Sequence, residues 1–168
     1  MQRIHSFPAV LPKNPRVLIL GSMPSVKSLE KQEYYGNPRN HFWPIMFELF
    51  QQKPLETYSE KIAFLKGKKI ALWDVIQNCF RQGSLDANII EEEPNDIFQL
   101  LDTFPSLKLI GCNGTKAYQT FQKHFKNLEK YDVEVIQLPS TSPIPGKYTK
   151  SFSEKVEAWS IILPYLMG

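Results

Sequence analysis

Cysteine is scarce in this 168-residue chain, and long apolar runs are absent from its sequence. The two cysteines, Cys79 and Cys112, are too few for a disulfide framework or a four-thiolate metal site. No stretch reaches the roughly 18 consecutive apolar residues that a membrane span needs. Three prolines interrupt the first 16 residues, where a secretory signal would need an unbroken apolar core. We therefore expect a cytoplasmic protein with reduced thiols and no membrane partner.

Several motifs of catalysis and cofactor binding are also missing. The chain lacks the phosphate-binding pattern GxxxxGK[ST], the dinucleotide-binding pattern GxGxxG and the GxSxG pattern of acyl-transfer hydrolases. The three histidines have no metal-ligand spacing to one another or to the cysteines. We expect neither a metal nor another cofactor. The net charge of +3 permits binding to a polyanion but does not require it.

Short apolar segments alternate with amphipathic stretches along the chain. The apolar segments have the length of buried strands and end in or just before turn-forming residues. They are residues 16–21, 69–73, 107–112 and 134–138. Apolar residues at three- and four-residue spacing predict helices, one of them with Asn95 as a candidate N-cap. These helices are expected near residues 42–50, 97–104, 115–125 and 152–163.

This alternation predicts an α/β fold, a three-layer α/β/α sandwich with a central four-stranded parallel sheet, formed as one domain over residues 1–168. Right-handed crossovers bring the carboxyl ends of the strands to one edge of the sheet, where ligands of such folds bind. The segments after the four strands are rich in Ser, Asn, Gly, Pro and Asp. Residues 78–93 lack clear periodicity, and we interpret them as a functional loop with some local helix.

Five short motifs occur in order along these segments. They are GSMP at 21–24, YY and NHFW at 34–43, LWDV at 72–75, GSLD at 83–86 and PSTSP at 139–143. Together, over residues 16–165, they resemble the uracil-DNA glycosylase superfamily, and within it the hypoxanthine (deoxyinosine) DNA glycosylase branch. The chain departs from that branch at Ser25, which replaces a Gly, and at residues 144–145, where Ile-Pro replaces Ala-Asn.

The resemblance implies a monofunctional enzyme that hydrolyses the N-glycosidic bond of a flipped-out deaminated base in DNA. Hypoxanthine is the expected base, with xanthine and mismatched uracil as further candidates. Uracil-removing members carry an acidic or amide residue where Met23 stands and a histidine where Leu138 stands, which argues against efficient uracil hydrolysis. Two other readings stay open: a noncatalytic nucleic-acid-binding member of the fold, and an α/β domain that binds small nucleotides.

Two amide side chains are the central candidates for the chemistry. The resemblance implies that Asn40, the Asn of NHFW, is the catalytic residue and orients the attacking water. An amide cannot serve as a general base, so catalysis would depend on positioning and on a stabilised leaving group. Asn113 follows the third strand, and its carboxamide matches the carbonyl and ring N–H of hypoxanthine. The alternative for both residues is a helix cap, for Asn40 before Phe42 and Trp43.

The remaining candidates belong to a base pocket and to a surface that contacts damaged DNA. To base binding we also assign Ser22, Met23, Phe42 and Asp74, with Tyr35 or Trp43 as alternative stacking partners and a turn aspartate as the alternative for Asp74. To DNA binding we assign Ser25, Ser140, Thr141, Ser142, Ile144 and Lys147. The hydroxyls and the lysine would contact phosphates, and Ile144 would fill the gap that the flipped base leaves. We expect the protein to act as a monomer.

Overall fold

A computed structural model describes residues 2–144, 146 and 149–167 of the chain. Its centre is a parallel sheet of four strands, β2 (Val17–Gly21), β3 (Ile70–Asp74), β6 (Leu109–Asn113) and β7 (Glu134–Leu138). Their order across the sheet is β3-β2-β6-β7. Each of the four predicted strands is present, shifted by two residues at most. The predicted three-layer α/β/α fold with a four-stranded parallel sheet is confirmed.

Helices cover both faces of this sheet. They are α1 (Val26–Lys31), α2 (Phe42–Leu49), α3 (Tyr58–Gly67), α4 (Ile97–Thr103), α5 (Thr115–His124) and α6 (Phe152–Trp159). Alternate residues of β2 belong to different cores, since Leu18 and Leu20 pack with α4 and α5, whereas Val17 and Ile19 pack with α2, α3 and α6. This alternation follows from the two-residue period of a strand. Among the described residues, no helix is long and apolar enough to cross a membrane.

A second, three-stranded antiparallel sheet lies beside α4 and α5. It consists of β1 (Ile4–His5), β4 (Ile76–Phe80) and β5 (Ile90–Pro94), in the order β1-β4-β5. The expectation of a functional loop over residues 78–93 is therefore wrong for much of its length, although residues 86–88 do form a turn of 3-10 helix. Its tip, residues 81–88, reaches the edge of the main sheet where β2 and β3 end.

One predicted helix cap is also wrong. Asp96, rather than Asn95, caps α4, because the Asp96 carboxylate accepts the Gln99 N–H at 3.1 Å. Asn95 is buried, and its amide instead donates to the backbone carbonyl of Asp74 at 2.7 Å. This hydrogen bond satisfies the Asn95 amide, which burial separates from water. Asn95 thus fixes the position at which β3 ends.

Candidate active site

A cavity of about 390 Å³ lies at the carboxyl ends of the parallel strands. Its wall comes from the last residues of β2, β3 and β6, from the segments after β2 and β7, from residues between 34 and 40 and from the tip of the β4–β5 hairpin. The wall includes Gly21, Ser22, Met23, Pro24, Ser25, Ser28, Tyr34, Tyr35, Asn37, Asn40, Asp74, Leu85, Asp86, Asn113, Ser140, Thr141, Ser142 and Ile144. The two candidate amides, Asn40 and Asn113, therefore line the same cavity.

Asn40 occupies the turn that leads into α2. Its Oδ1 accepts the Phe42 N–H at 2.8 Å, and its own N–H donates to the Asn37 carbonyl at 2.9 Å. This bond closes an Asx turn just before the helix, whose N-cap is His41, so the helix-cap alternative for Asn40 is not what the structure shows. Within the described part of the chain, the Asn40 amide nitrogen makes no hydrogen bond. The Asx turn fixes the orientation of the side chain and leaves its N–H₂ group for a ligand of the cavity.

Asn113 ends β6, and its amide pairs with Thr141. Its Nδ2 donates to Thr141 Oγ1 at 2.9 Å, and its Oδ1 accepts the Thr141 N–H at 3.0 Å. Asn113 does not cap α5, whose N-cap is Gly114. A carboxamide has two N–H groups and two acceptor lone pairs, so one of each remains. The structure thus excludes the helix-cap alternative for Asn113.

Asp74 and Tyr35 form the buried floor of the cavity. Asp74 is only 4% exposed, and burial raises the pKa of its carboxyl from 3.8 to about 7, with a further rise from the nearby Asp86 carboxylate and a partial offset from Arg81. Burial likewise raises the pKa of the Tyr35 hydroxyl. Among the described residues, neither Asp74 Oδ2 nor the Tyr35 hydroxyl has a hydrogen-bond partner of good geometry, although the Asn113 amide lies close enough to the Tyr35 hydroxyl to offset part of the rise in its pKa. Such buried polar atoms are costly and are typical of a functional site.

The backbone at Gly21 and Tyr35 has features that allow the two floor side chains to lie close together. A Cβ on Gly21 would lie 2.5 Å from Asp74 Oδ1 and 3.2 Å from the Tyr35 hydroxyl, so only glycine lets both side chains approach. Tyr35 has a φ of 55°, a left-handed conformation that is rare for a bulky residue. Strain of this kind persists where surrounding contacts impose it, and it is frequent at functional sites.

Phe42 does not line the cavity, so its assignment to the base pocket is wrong. Its side chain is fully buried and stacks on Tyr35, with ring centroids 4.1 Å apart and an interplanar angle of 22°. Edge-to-face contacts with Trp43 and Trp159 complete its surroundings. Phe42 and Trp43 both lie on the apolar face of α2, which packs into the core. Tyr35, which stacks on Phe42, and its neighbour Tyr34 are the aromatic residues of this cluster that line the cavity.

The loops assigned to DNA contact surround the cavity mouth. Ser25 caps α1 by accepting the Ser28 N–H at 3.2 Å. In the loop after β7, Ser140 Oγ accepts the Ser142 N–H at 3.1 Å, and Ser142 Oγ accepts the Ile144 N–H at 3.2 Å. Ile144 is 44% exposed at the rim. These hydrogen bonds give the serine-rich loop a defined shape.

Thr141 requires a correction, and Lys147 lies outside the described residues. Thr141 is only 1% exposed, and both its hydroxyl and its N–H bond Asn113. It therefore supports the Asn113 amide from inside the wall, where a DNA phosphate does not reach it. The alternation of small polar residues with prolines in PSTSP did not distinguish this buried threonine from its exposed neighbours.

Sequence reasoning missed Arg81, which holds the hairpin tip against the cavity. Its guanidinium is buried and donates to the carbonyls of Gly83 at 2.6 Å and Pro24 at 2.7 Å. No signal in the sequence pointed to this role, because Arg81 follows the mixed segment IQNCF in a stretch without clear periodicity. A buried guanidinium needs several acceptors and so joins segments. Within the described ranges, no group of three or more His, Cys, Asp or Glu residues is placed to hold a metal.

The molecule is thus an α/β protein with a polar cavity at the carboxyl edge of its parallel sheet, lined by amide side chains and serine-rich loops. The family model of the Uracil DNA glycosylase superfamily matches residues 8–163. The chain therefore belongs to this superfamily.

Two relatives and one solved structure show which members of the superfamily this chain is similar to. A Hypoxanthine DNA glycosylase of Methanosarcina acetivorans is 39% identical over 153 residues, which cover 90% of this chain and 94% of that protein. A Hypoxanthine DNA glycosylase of Methanosarcina barkeri is 39% identical over 112 residues, covering 66% and 71%. The solution NMR structure of a candidate uracil DNA glycosylase from Methanosarcina acetivorans has a TM-score of 0.82 at 36% identity and covers 98% of this chain and 99% of that one.

Proposed function

We propose that this protein is a monofunctional DNA glycosylase that removes hypoxanthine from deoxyinosine in damaged DNA. The observation that carries the proposal is the presence of Asn40 and Asn113 on one cavity at the carboxyl edge of the sheet. Two relatives of similar length bear the name hypoxanthine DNA glycosylase. A target base inside a duplex is out of reach, so the nucleotide must be extruded into this cavity at a cost of a few kcal/mol.

The free hydrogen-bonding capacity of Asn113 supports hypoxanthine as the base. Thr141 uses one N–H and one lone pair of the amide. Thr141 occupies the edge of the amide on which the oxygen and one N–H stand side by side, so the remaining N–H and the remaining lone pair lie on opposite flanks. A fixed N–H on one flank suits the carbonyl oxygen of hypoxanthine, whereas adenine carries an amino donor in that place. Because Thr141 holds the amide by two hydrogen bonds, the amide is not free to turn over and offer its oxygen there instead.

Asn40 would place the water that attacks the sugar. Cleavage builds positive charge on the sugar and negative charge on the departing base, so catalysis requires a positioned water and hydrogen bonds to the leaving group. The Asn40 side chain, held by its bond to the Phe42 N–H, would offer its amide to that water, and Asn113 would stabilise the departing base. Neither amide accepts the proton of the water. We therefore expect slower turnover than in a relative with a catalytic carboxylate.

The loops around the mouth would grip the DNA. Ser25, Ser140 and Ser142 would contact backbone phosphates, Ile144 would fill the gap in the base stack, and Lys147 would neutralise a phosphate. Action as a monomer and a location in the reducing cytoplasm stay predictions. Ser22, Met23 and Asp74 would contact or support the extruded base from the cavity wall.

The proposal is tested with oligonucleotides that carry inosine, xanthosine, uridine or an unmodified base. Excess enzyme is incubated with each duplex, alkali cleaves any abasic product, and strand scission is measured. We expect scission at inosine above all. Absence of an abasic product from all three modified substrates, with DNA still bound, would instead favour a noncatalytic DNA-binding protein, and stabilisation by free nucleotides alone would favour a nucleotide-binding domain.

Asn40→Ala tests the mechanism in the same assay. Loss of water positioning should lower the single-turnover rate on inosine by roughly a hundredfold or more, while the affinity for DNA changes little. Asn14→Ala, at an exposed position away from the cavity, is the matched control and should behave like the wild type. Wild-type turnover in Asn40→Ala would remove this residue from the mechanism.

A further inference from the structure

The tip of the β4–β5 hairpin, residues 81–88, contains the GSLD segment and takes no part in the chemistry described so far. Leu85 of this segment is 47% exposed and lies on the wall of the cavity. Ile144 reaches the same rim from the loop after β7 and is 44% exposed. A single exposed leucine is ordinary in a folded protein. Leu85 is unusual because of its place at the cavity mouth and the rigidity of the segment that presents it.

Arg81 ties the base of the tip to the loop after β2. Its guanidinium is buried and donates to the carbonyls of Gly83 within the tip and Pro24 across the cavity wall. Gly83 has a φ of 70°, which allows the tight turn that brings its carbonyl back to the arginine. A buried guanidinium with two carbonyl acceptors is costly to release, so the hairpin tip is anchored to the rest of the site.

Both neighbours of Leu85 are held as well. Ser84 Oγ accepts the Val26 N–H at 2.9 Å, and Asp86 Oδ1 accepts the Ser22 hydroxyl at 2.8 Å. The backbone of Leu85 therefore has little freedom to turn its side chain into the core. An apolar side chain fixed toward solvent loses little further conformational entropy when it meets a partner.

The composition of the tip decides what kind of partner it can meet. Apart from Arg81, whose buried guanidinium is bound to two backbone carbonyls, the tip contains no lysine or arginine, and it contains the Asp86 carboxylate. A carboxylate repels phosphates, so this segment is poorly suited to hold the DNA backbone. Its apolar side chain suits the faces of bases, which become exposed beside an extruded nucleotide.

We propose that Leu85 is a second side chain that enters the base stack beside the extruded nucleotide, in addition to Ile144 on its separate loop. This inference rests on the proposed function, because only extrusion of a nucleotide opens the stack. Leu85 helps to open the duplex and to hold it open. It contributes nothing to the bond cleavage itself. Duplex substrates therefore need Leu85, and single-stranded substrates, whose bases are already unstacked, do not.

Single-turnover excision from double-stranded and single-stranded inosine substrates tests this role. We expect Leu85→Ala to lower the rate on the duplex by roughly tenfold and to leave the rate on the single strand within about twofold, because only the apolar contact with the stack is lost. Leu85→Met should restore most of the duplex rate. Ile161→Ala is the matched control, since Ile161 is 49% exposed and lies outside the cavity wall.

A binding readout separates this proposal from the function on which it rests. A 2-aminopurine placed next to inosine gains fluorescence when the stack opens on binding, whether or not cleavage follows. We expect the gain to fall severalfold in Leu85→Ala and to persist in Ile161→Ala. An unchanged ratio of duplex to single-strand rates together with an unchanged fluorescence gain overturns the role of Leu85. Lack of excision by the wild type on both substrates overturns the proposed function, and the fluorescence result then decides the role of Leu85 alone.

Discussion

Asp74→Asn should change how the stability of the protein depends on pH. The carboxyl has a pKa of about 7 in the folded protein, compared with 3.8 for an ordinary aspartate, mainly because it is buried. The unfolded chain therefore releases this proton near pH 4, whereas the folded protein retains it until pH rises through 7. The contribution of the protonated Asp74 carboxyl to the free energy of unfolding is therefore lost as the pH rises from about 4 to about 7. The full difference corresponds to roughly 4 kcal/mol, of which about 2 to 3 kcal/mol falls between pH 5 and pH 8.

Urea denaturation at pH 5 and pH 8 measures this effect. The wild type should lose about 2 to 3 kcal/mol more than Asp74→Asn over this range, because the asparagine cannot ionise and all other groups are shared. Glu48→Gln removes an exposed carboxylate of α2 and should follow the wild type. If the free energies of unfolding of the wild type and of Asp74→Asn change in parallel between the two pH values, Asp74 is not the buried, uncompensated acid that its surroundings indicate.

Two further substitutions test the wall of the cavity. Asn113→Ala should reduce discrimination between inosine and the other modified substrates, because the fixed donor and acceptor are lost; an unchanged substrate profile would contradict base recognition by this amide. Gly114→Ala should lower the free energy of unfolding by about 1 to 3 kcal/mol, since Gly114 has a φ of 94° and a Cβ there would lie 3.2 Å from the Ser140 Cβ. Gly67→Ala, which meets open space, should lose no stability in the same urea titration, and equal stabilities of the two variants would argue against strain at Gly114.

Most of the main sheet could be predicted from the sequence because β2, β3 and β6 are mainly apolar runs of strand length that end at turn-forming residues. These three strands are buried on both faces and so show no two-residue alternation, whereas the edge strand β7 reads EVIQL and is only partly buried. The segment from Ile76 to Pro94 gave no such signal. Its strand β5 is mostly exposed and reads IEEEP, a composition poor in strand-forming residues. Antiparallel pairing with β4, which the local sequence does not encode, stabilises it.

The candidate site shows the same division between pattern and packing. Asn113 could be placed at the carboxyl edge because it ends a parallel strand, whereas Asn40, between α1 and α2, could be assigned only through the family resemblance. The exclusion of Phe42 could not be predicted, because a helix beside a cavity buries one apolar face and the sequence does not say which aromatic residue stops short of the opening. The same holds for Thr141, whose burial depends on the approach of β6 to the loop after β7.

Thr141 joins the two halves of the site. Its side chain and N–H hold Asn113, and its carbonyl accepts the N–H of His41, the residue directly after Asn40. The residue proposed to recognise the base and the residue proposed to position the nucleophile are thus linked through one threonine. A base that displaces Asn113 would disturb the geometry needed for hydrolysis, so fidelity would be enforced at the bond-breaking step as well as at binding.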